Sequence, residues 1–349
     1  MRIASLATAL PPRRYEQEIL LQAAHAAWDK QLDNPLVLDR LFRRVSVDQR
    51  HLCLPLEAYP KLANFREKND AWIASAQELG CRAIKDALEI GRIEPEQLGA
   101  LFFVSITGIA NPSIDARIVN LLSLPRSLKR LPIFGLGCVA GAAGIARAAD
   151  YVRAYPDQAA VVLSVELCSL TVQADNLSMP NLIATALFGD GAAAVVVAGE
   201  KLAASGPRIV ATQSNFYPHT EDAMGWDITE KGFEIVLSPK VPDIVREHLA
   251  SDVDTFLERN GLRRGDITSW IMHTGGPAIL EATADALNLP ECALKASWDC
   301  LRRIGNLSSG SVLFVLEDFL VNRRPPPSSY SILAAMGPGF CSELVLLQW

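Results

Sequence analysis

Three polar residues stand at the ends of predicted elements, where α/β proteins commonly carry reactive side chains: Cys138, His273 and Asn306. Cys138 follows the strand-like segment LPIFGL and opens a helix whose first residues are almost all Ala and Gly. Unpaired N–H groups at a helix start favour a thiolate and can hold an oxyanion, so this position predicts a lowered thiol pKa. The structural alternative is a small buried cysteine that only packs the junction.

His273 and Asn306 could complete a reactive group. His273 ends the predicted strand SWIMH and enters TGGP, so its ring should emerge at the carboxyl edge of a sheet. Asn306 opens a later helix in the segment RIGNLSSG. A lone histidine is more often structural, but a thiol, an imidazole and an amide that meet could accept an acyl group and then stabilise an enolate. The triple therefore predicts condensation or acyl transfer.

A dinucleotide-binding fingerprint overlaps the cysteine segment, because GLGCVA fits G-x-G-x-x-A between a strand and a helix. The motif begins at residue 135 rather than in a first βαβ unit, and Asp157 lies in the polar loop YPDQ rather than at a strand end. Nicotinamide binding is the weaker interpretation. The absence of GxxxxGK[ST], HExxH, GxSxG and EF-hand motifs removes the common phosphoryl-transfer, zinc-protease and serine-hydrolase classes.

Composition narrows the class of protein further. The 349 residues are 50% hydrophobic with a net charge of -6, so neither disorder nor a global attraction to nucleic acid or anionic lipid is expected. The 7 cysteines contain no CxxC pair, which predicts reduced thiols, no metal site and a cytoplasmic protein. The start MRIASLATALPP predicts a first strand rather than a signal peptide, and no apolar run reaches the ~20 residues of a membrane span.

Strands and helices alternate in an order that occurs twice. The first part predicts a helix over 70–90, the strand ALFFVSI over 100–106, a helix after Pro112 capped by Ser113, the strand over 131–136, a helix from about 139, and the strands AAVVLSVEL and AAAVVVAG. The second part predicts a helix over 241–260, the strand SWIMH, the helix AILEATADAL, a helix after Asn306, and the strands YSILAAM and ELVLLQW.

This repetition predicts an α/β fold of two duplicated halves, 1–200 and 201–349, in a layered αβαβα arrangement. The equivalent points GLG-Cys138 and RIG-Asn306 would then face each other near the centre. Residues 200–240 are less regular and predict a hairpin or lid, and RRPPPSS at 323–329 predicts a surface loop.

Five segments, in order, resemble the chalcone synthase-like type III polyketide synthases of the thiolase superfamily: GCVAGAAG, ALFGDGAAAV, HTGGPAIL, GNLSSGSVLF and GPGF. The likeness covers most of the chain and includes the spacing from His273 to Asn306. Ketoacyl synthase III enzymes share a Cys-His-Asn triad, but GGPAIL and the GPG loop favour the polyketide group. The resemblance implies a thiolase-like five-layered fold, a homodimer, acyl-CoA and malonyl-CoA as substrates, and no cofactor.

The resemblance also implies residue roles. Cys138 would attack a starter thioester and hold the growing chain. His273 would pair with the thiolate and, with Asn306, hydrogen-bond the malonyl-CoA carbonyl so that decarboxylation gives a stabilised enolate. The implied substrate-binding residues are the gatekeeper Phe188, then Ile106, Thr107, Trp226 and Ile235, and the cavity-floor loop Gly337, Pro338 and Gly339. The implied CoA-phosphate ligands are Arg40, Arg43 and Arg44, for which a solvated helix face is the alternative.

Departures from the plant enzymes bear on the substrate. Ile235 stands where the plant enzymes have a second gatekeeper phenylalanine, and Trp226 stands where they have a glycine. Ile106 replaces a threonine of their pocket, and Asn111 replaces a methionine that reaches across their dimer. They argue against a coumaroyl starter and favour a fatty acyl-CoA starter, with alkylpyrone or alkylresorcinol products. The alternatives are a single-round ketoacyl synthase III-like enzyme or acyltransferase and, less favoured, an oxidoreductase or a noncatalytic protein of the same fold.

Overall fold

A mixed sheet of nine strands runs through the computed structural model, which describes residues 1–349 except the side chain of residue 291. The strands are β1 (Arg2–Ala9), β2 (Arg13–Glu16), β3 (Gln49–Leu52), β4 (Leu98–Val104), β5 (Lys129–Ile133), β6 (Ala159–Leu167), β7 (Asp190–Ala198), β8 (Arg208–Phe216), β9 (Met224–Thr229), β10 (Gly232–Leu237), β11 (Ile267–Met272), β12 (Tyr330–Gly337) and β13 (Cys341–Gln348). The helices are α1 (Gln17–Trp28), α2 (Leu36–Arg44), α3 (Phe65–Gly91), α4 (Ile114–Leu121), α5 (Ala140–Ala154), α6 (Met179–Leu187), α7 (Val241–Arg259), α8 (Pro277–Leu287), α9 (Lys295–Ile304) and α10 (Ser311–Val321).

The nine-stranded sheet consists of two equivalent groups of strands. The first has the order β5-β4-β6-β7-β1 and the second β11-β12-β13-β8, and a single residue pair, Arg2 with Arg208, joins β1 to β8. In each group one parallel pairing is followed by two antiparallel ones: β4-β6, β6-β7 and β7-β1 correspond to β11-β12, β12-β13 and β13-β8. The strands therefore repeat, and β5 is an additional edge strand of the first group.

Alternate residues of the central strands face different helical layers, as expected from the two-residue period of a strand. In β6, Val161 packs with α3 and α4, whereas Val162 packs with α5 and α10. In β12, Leu333 faces this same middle layer, whereas Ala334 faces α7 and α8. Helices α5 and α10 thus lie between two layers of strands with helices outside each. This confirms the predicted thiolase-like αβαβα fold.

Most element boundaries lie within a few residues of the prediction. The strand predicted over 131–136 is shorter and earlier, so 134–136 are free to lead into a 3-10 turn at Gly137–Val139 before α5. Helix α3 starts before residue 70 because the Asn64 side chain caps it, accepting from the N–H of Glu67 at 3.0 Å. The predicted hairpin in 200–240 is β9 and β10, but this stretch also contains β8, which the sequence analysis missed because its residues are half exposed.

Candidate active site

A cavity built from both halves of the chain is lined by Cys138, His273 and Asn306, together with Phe188. It encloses about 580 Å³ of empty space, part of it open to solvent. Its other walls are largely apolar: Leu187, Met224, Leu237, Val241, Met272, Gly275, Ile279, Thr283, Ala334, Ala335, Met336 and Phe340. An apolar cavity with a few convergent polar groups is typical of a small-molecule site.

Close backbone packing fixes the turn that carries Cys138. A side chain at Gly137, where φ is +53°, would come within 2.8 Å of the Pro338 ring. A side chain at Gly141, in the first turn of α5, would lie 2.2 Å from the carbonyl oxygen of Ser309. The glycines therefore allow the cysteine turn to lie directly against the turn that follows Asn306.

The loop Gly337, Pro338 and Gly339 acts on this same turn. A side chain at Gly337 would lie 2.7 Å from the backbone nitrogen of Val139, so only a glycine allows this approach. The cavity is lined not by the three loop residues but by their neighbours Ala335, Met336 and Phe340. The loop thus holds the cysteine turn in place and shapes the cavity indirectly.

The prediction of a lowered Cys138 pKa is wrong for this structure. The residue is 8% exposed, and burial raises its pKa to about 12. The Glu166 carboxylate also disfavours a negative sulfur, while the Ser308 hydroxyl, 3.7 Å from Sγ, favours it more weakly than burial opposes it. The helix start does not outweigh desolvation, so the resting residue is a neutral thiol.

His273 follows directly after β11, and its backbone N–H donates to Ala334 at 3.0 Å. The side chain is buried, and among the described residues neither ring nitrogen has a hydrogen-bond partner. Burial lowers the pKa of His273 to about 4, so the ring is neutral near pH 7. A neutral imidazole with both nitrogens free in a cavity can accept a proton at one atom and donate at the other.

The Asn306 amide is oriented by its neighbours. Its Oδ1 accepts from the backbone N–H of Ser308 at 2.8 Å and from Ser311 Oγ at 3.2 Å. Because Oδ1 is engaged in this way, the Nδ2 group is the donor available to the cavity. Asn306 also forms a parallel bridge with Phe188, so the amide and the predicted gatekeeper are held by one backbone contact.

A buried carboxyl group, which the sequence analysis missed, lies behind Cys138. Glu166 accepts from Ser309 Oγ at 2.5 Å, from Thr107 Oγ1 at 3.0 Å and from the N–H of Ile106 at 3.1 Å. Burial raises its pKa to about 7. The predicted pocket residues Ile106 and Thr107 are thus ligands of this carboxyl group. The available signal was a lone glutamate inside the apolar strand AAVVLSVEL, since buried charged residues often mark functional sites.

The shifted pKa values of Glu166 and His273 predict opposite effects of pH on the free energy of unfolding. The folded-state pKa of His273 lies below its ordinary 6.5, so the unfolded chain binds the extra proton and stability falls as pH drops from 6.5 towards 4. The pKa of Glu166 lies above its ordinary 4.5, so the folded chain binds the extra proton and stability falls as pH rises from 4.5 towards 7. Each slope is at most about 1.4 kcal/mol per pH unit.

We expect His273→Gln to leave only the Glu166 contribution, so the variant loses stability relative to wild type as pH rises from 5 to 6.5. Glu166→Gln should show the opposite trend. Urea denaturation at successive pH values measures both differences. Difference curves without a slope would contradict the assigned protonation states.

The predicted residues Trp226 and Ile235 line a second, smaller cavity of about 240 Å³ of empty space, together with Cys168 and Phe188. They are direct cross-strand partners in β9 and β10. Phe188 lines both cavities and therefore stands between them. Cys168, for which the sequence predicts no role, belongs to this wall.

The predicted CoA-binding arginines lie on α2, and all three are exposed. The side chain of Arg43 is 81% exposed, with Asp39 3.9 Å away as a weak partner. None of the three lines the cavity that contains Cys138, although α2 packs on α6, whose last residue Leu187 does. Their role in phosphate binding stays a prediction.

The dinucleotide interpretation does not fit the geometry. In such a site the pyrophosphate lies against the helix start that follows the glycine-rich turn. Here the first turn of α5 is covered by the turn at Ser309, in contact with Gly141. Among the described residues no group of three or more His, Cys, Asp or Glu is placed to hold a metal ion. No described helix is long and apolar enough to cross a bilayer.

Solved structures share this fold over the whole chain. The type III polyketide synthase 1,3,6,8-tetrahydroxynaphthalene synthase from Streptomyces coelicolor superposes with a TM-score of 0.95 at 29% identity, covering 100% of this chain and 99% of that chain. A type III polyketide synthase domain from Dictyostelium gives a TM-score of 0.92 at 23% identity, covering 99% and 98%. Fold and cavity thus define a thiolase-like enzyme.

Sequence comparison narrows the class to a family. Residues 3–201 match the N-terminal domain, and residues 208–349 the C-terminal domain, of the chalcone and stilbene synthases. A 1,3,6,8-tetrahydroxynaphthalene synthase from Streptomyces peucetius is 47% identical over 99% of this chain and 93% of its own length. A putative chalcone synthase from Bacillus subtilis is 36% identical over 99% of this chain and 98% of its own length.

The chain belongs to the chalcone and stilbene synthase family and is a type III polyketide synthase, an acyltransferase that condenses malonyl-CoA. Its substrates are CoA thioesters, and the reaction requires no cofactor.

Proposed function

We propose that Cys138 carries the growing acyl chain while His273 and Asn306 act on the thioesters. The Cys138 thiol gives its proton to His273 as Sγ attacks the starter carbonyl; the carbon–sulfur bond to CoA then breaks, and CoA leaves with that proton. The observation that carries this proposal is that the three side chains, each buried, line one cavity.

Chain extension uses the same groups. Malonyl-CoA loses its carboxylate as CO₂, and the electron pair of the broken bond becomes an enolate whose oxygen accepts from Asn306 Nδ2 and from the His273 ring N–H. The enolate carbon attacks the acyl carbon on Cys138, the carbon–sulfur bond breaks, and the sulfur leaves as a thiolate that takes a proton from solvent to restore the thiol. The extended chain, now on CoA, returns to Cys138 for the next round.

Neutral resting groups are compatible with this scheme. The pKa of Cys138 is raised to about 12 and that of His273 lowered to about 4. Near neutral pH the cysteine is therefore a thiol and the imidazole is uncharged, so the thiol proton is the one that can move between them. Moving that proton from sulfur to nitrogen makes an ion pair without changing the net charge of the cavity. The acceptor is free, since neither ring nitrogen has another partner among the described residues.

For the product we favour a small polyhydroxylated aromatic compound of the tetrahydroxynaphthalene type. The 47% identical relative is named a 1,3,6,8-tetrahydroxynaphthalene synthase, and a 31% identical relative from Pseudomonas fluorescens a phloroglucinol synthase. The carbons of such rings can all come from the two-carbon units that malonyl-CoA leaves after decarboxylation. The bulky rings of Phe188 and Trp226 on the second cavity suit a compact intermediate.

A fatty acyl-CoA starter with alkylpyrone or alkylresorcinol products is the second candidate. The aliphatic side chains of Ile235 and Ile106 favour it, since they replace polar or aromatic groups in the resembling plant enzymes. This candidate requires the second cavity to accept a long chain past Trp226.

One assay separates the two candidates. The protein is incubated with labelled malonyl-CoA, alone or with acetyl-CoA or a series of fatty acyl-CoA starters, and products are identified by mass. We expect an aromatic product from malonyl-CoA alone. Products that contain the fatty chain, with none from malonyl-CoA alone, would favour the second candidate, and a single 3-ketoacyl product would contradict iterative extension.

We also propose a homodimer formed through β5. This strand is the edge of the sheet, and an unpaired edge is a template for another strand. Leu131 in β5, Phe134 beside it and Leu121 at the end of α4 are large exposed apolar residues. Asn111, expected near the partner, is exposed in the loop before α4. Sedimentation equilibrium should give twice the chain mass for wild type and a lower mass for Leu131→Lys.

The proposal also covers CoA binding, the division into domains and the location in the cell. Arg40, Arg43 and Arg44 are proposed to bind the CoA phosphates, the two halves are proposed to be domains divided near residue 200, and the protein is proposed to act in the cytoplasm. The 7 free cysteines support a reducing compartment.

A further inference from the structure

A buried arginine outside the cavity holds the segment that carries the gatekeeper. Arg50, in β3, is 3% exposed, and its pKa is lowered only to about 10, so it stays protonated at neutral pH. Its Nη1 donates to the carbonyls of Thr185 at 2.6 Å and Phe188 at 2.7 Å, and its Nε to Gln17 Oε1 at 3.1 Å. None of these three hydrogen-bond partners is charged, although the nearby Asp190 carboxylate partly offsets the effect of burial on the Arg50 pKa. Burying a guanidinium whose hydrogen bonds all go to neutral oxygens is costly, so its contacts must be well placed.

These contacts terminate α6. The last carbonyls of a helix have no partner within it, and a cation is favourable at this end of the helix dipole. Four consecutive carbonyl oxygens each accept a hydrogen bond from outside the helix. Those of Thr185 and Phe188 accept from Arg50, and that of Ala186 accepts from Gln17 Nε2 at 2.8 Å. The carbonyl of Leu187 accepts from the N–H of Asn306 at 3.0 Å. One arginine, the glutamine that it binds and the proposed catalytic asparagine therefore satisfy the whole end of the helix.

The aliphatic stem of Arg50 also lies against the Asn306 segment. Gly305 has φ +73°, and a side chain there would meet Leu187 O at 2.6 Å and Arg50 Cγ at 3.1 Å. The N–H of Gly189 donates to Asn306 O at 3.0 Å, completing the bridge between the two segments. A displacement of Arg50 would therefore move both walls of the cavity.

We propose that Arg50 is a positioning residue for condensation, which fixes the Phe188 ring and the Asn306 amide relative to each other without touching substrate. The inference rests on the proposed roles of those two residues. When both are held, an enolate formed beside Asn306 is in reach of the acyl chain on Cys138. When they are displaced, the enolate is protonated and leaves as acetyl-CoA before it can attack.

The test compares two arginines that each bind the end of a helix. Arg264 Nη1 donates to Leu287 O at 3.1 Å at the end of α8, whose last turn does not line the cavity, and its Nε pairs with Asp254. Arg50→Lys and Arg264→Lys each keep the charge but lose the forked geometry. For both variants we would measure thermal stability and the ratio of acetyl-CoA released to malonyl units condensed.

We expect Arg50→Lys to raise that ratio roughly tenfold or more, because small misplacements of reacting groups cost large factors in rate. Arg264→Lys should lose stability and leave the ratio unchanged. Equal ratios in the two variants and wild type would overturn the proposal. If Arg50→Lys does not fold, Gln17→Leu removes one contact of Arg50 together with the contact of Gln17 to Ala186 O. This variant should raise the ratio by a smaller factor, and an unchanged ratio there would also overturn the proposal. A wild type that makes no condensation product would instead refute the proposed function.

Discussion

Replacing Cys138 with alanine is expected to abolish chain growth while malonyl-CoA decarboxylation continues. The substitution removes the only atom proposed to carry the acyl chain but leaves the donors of His273 and Asn306 in the cavity. Product formation should fall by at least about a thousandfold, as is usual for loss of a nucleophile. Release of acetyl-CoA from malonyl-CoA should stay within about tenfold of wild type. Chromatography of the CoA esters and mass analysis of the products measure both rates.

Cys300→Ala is the matched control. Cys300 is also a buried thiol, 3% exposed in α9, but it does not line the cavity. Its removal tests the cost of losing a buried sulfur, and we expect both rates of that variant to match wild type once corrected for the folded fraction. Chain growth in Cys138→Ala at the rate of this control would remove Cys138 from its proposed role.

Asn306→Asp is expected to impair decarboxylation itself. The change replaces the free Nδ2 donor with an oxygen that carries negative charge, next to the position where the enolate oxygen forms. Loss of one such donor costs roughly a hundredfold to a thousandfold in rate. Acetyl-CoA release in the absence of a starter isolates this step from chain growth.

Ser311→Ala provides a graded comparison for Asn306. Its hydroxyl donates to Asn306 Oδ1 at 3.2 Å, so its loss loosens the amide without removing the donor. We expect a smaller reduction than in Asn306→Asp. Decarboxylation at the wild-type rate in Asn306→Asp would show that another group stabilises the enolate. Retained decarboxylation in Cys138→Ala and impaired decarboxylation in Asn306→Asp would together separate acyl transfer from enolate formation.

Local sequence patterns were sufficient to predict the layers of the fold. Buried strands such as AAVVLSVEL are continuous apolar runs, and the small residues after Cys138 predict a helix that packs closely at the centre. The repeated order of elements predicts that Cys138 and Asn306 occupy equivalent points. Strand β8 was missed because a half-exposed strand has a weak apolar pattern.

Properties that depend on three-dimensional packing could not be predicted from the sequence. The helix start after Cys138 predicts a lowered thiol pKa, but burial raises it to about 12, and the extent of burial is set by segments far along the chain such as Ser308. Glu166 and Arg50 act through partners that only the fold brings near, including Ser309 and Phe188. The sequence shows residue types and element ends, whereas the protonation states follow from the packed structure.

Mapping the covalent acyl-enzyme is the most direct test of the account. Wild-type protein is mixed with malonyl-CoA and with each starter, quenched in acid within its first turnovers, digested and examined by peptide mass spectrometry. We predict that the added acyl mass lies on the peptide that contains Cys138 and is absent in Cys138→Ala. Acylation of another cysteine, such as Cys168 on the wall of the second cavity, with Cys138 unmodified would contradict the central claim.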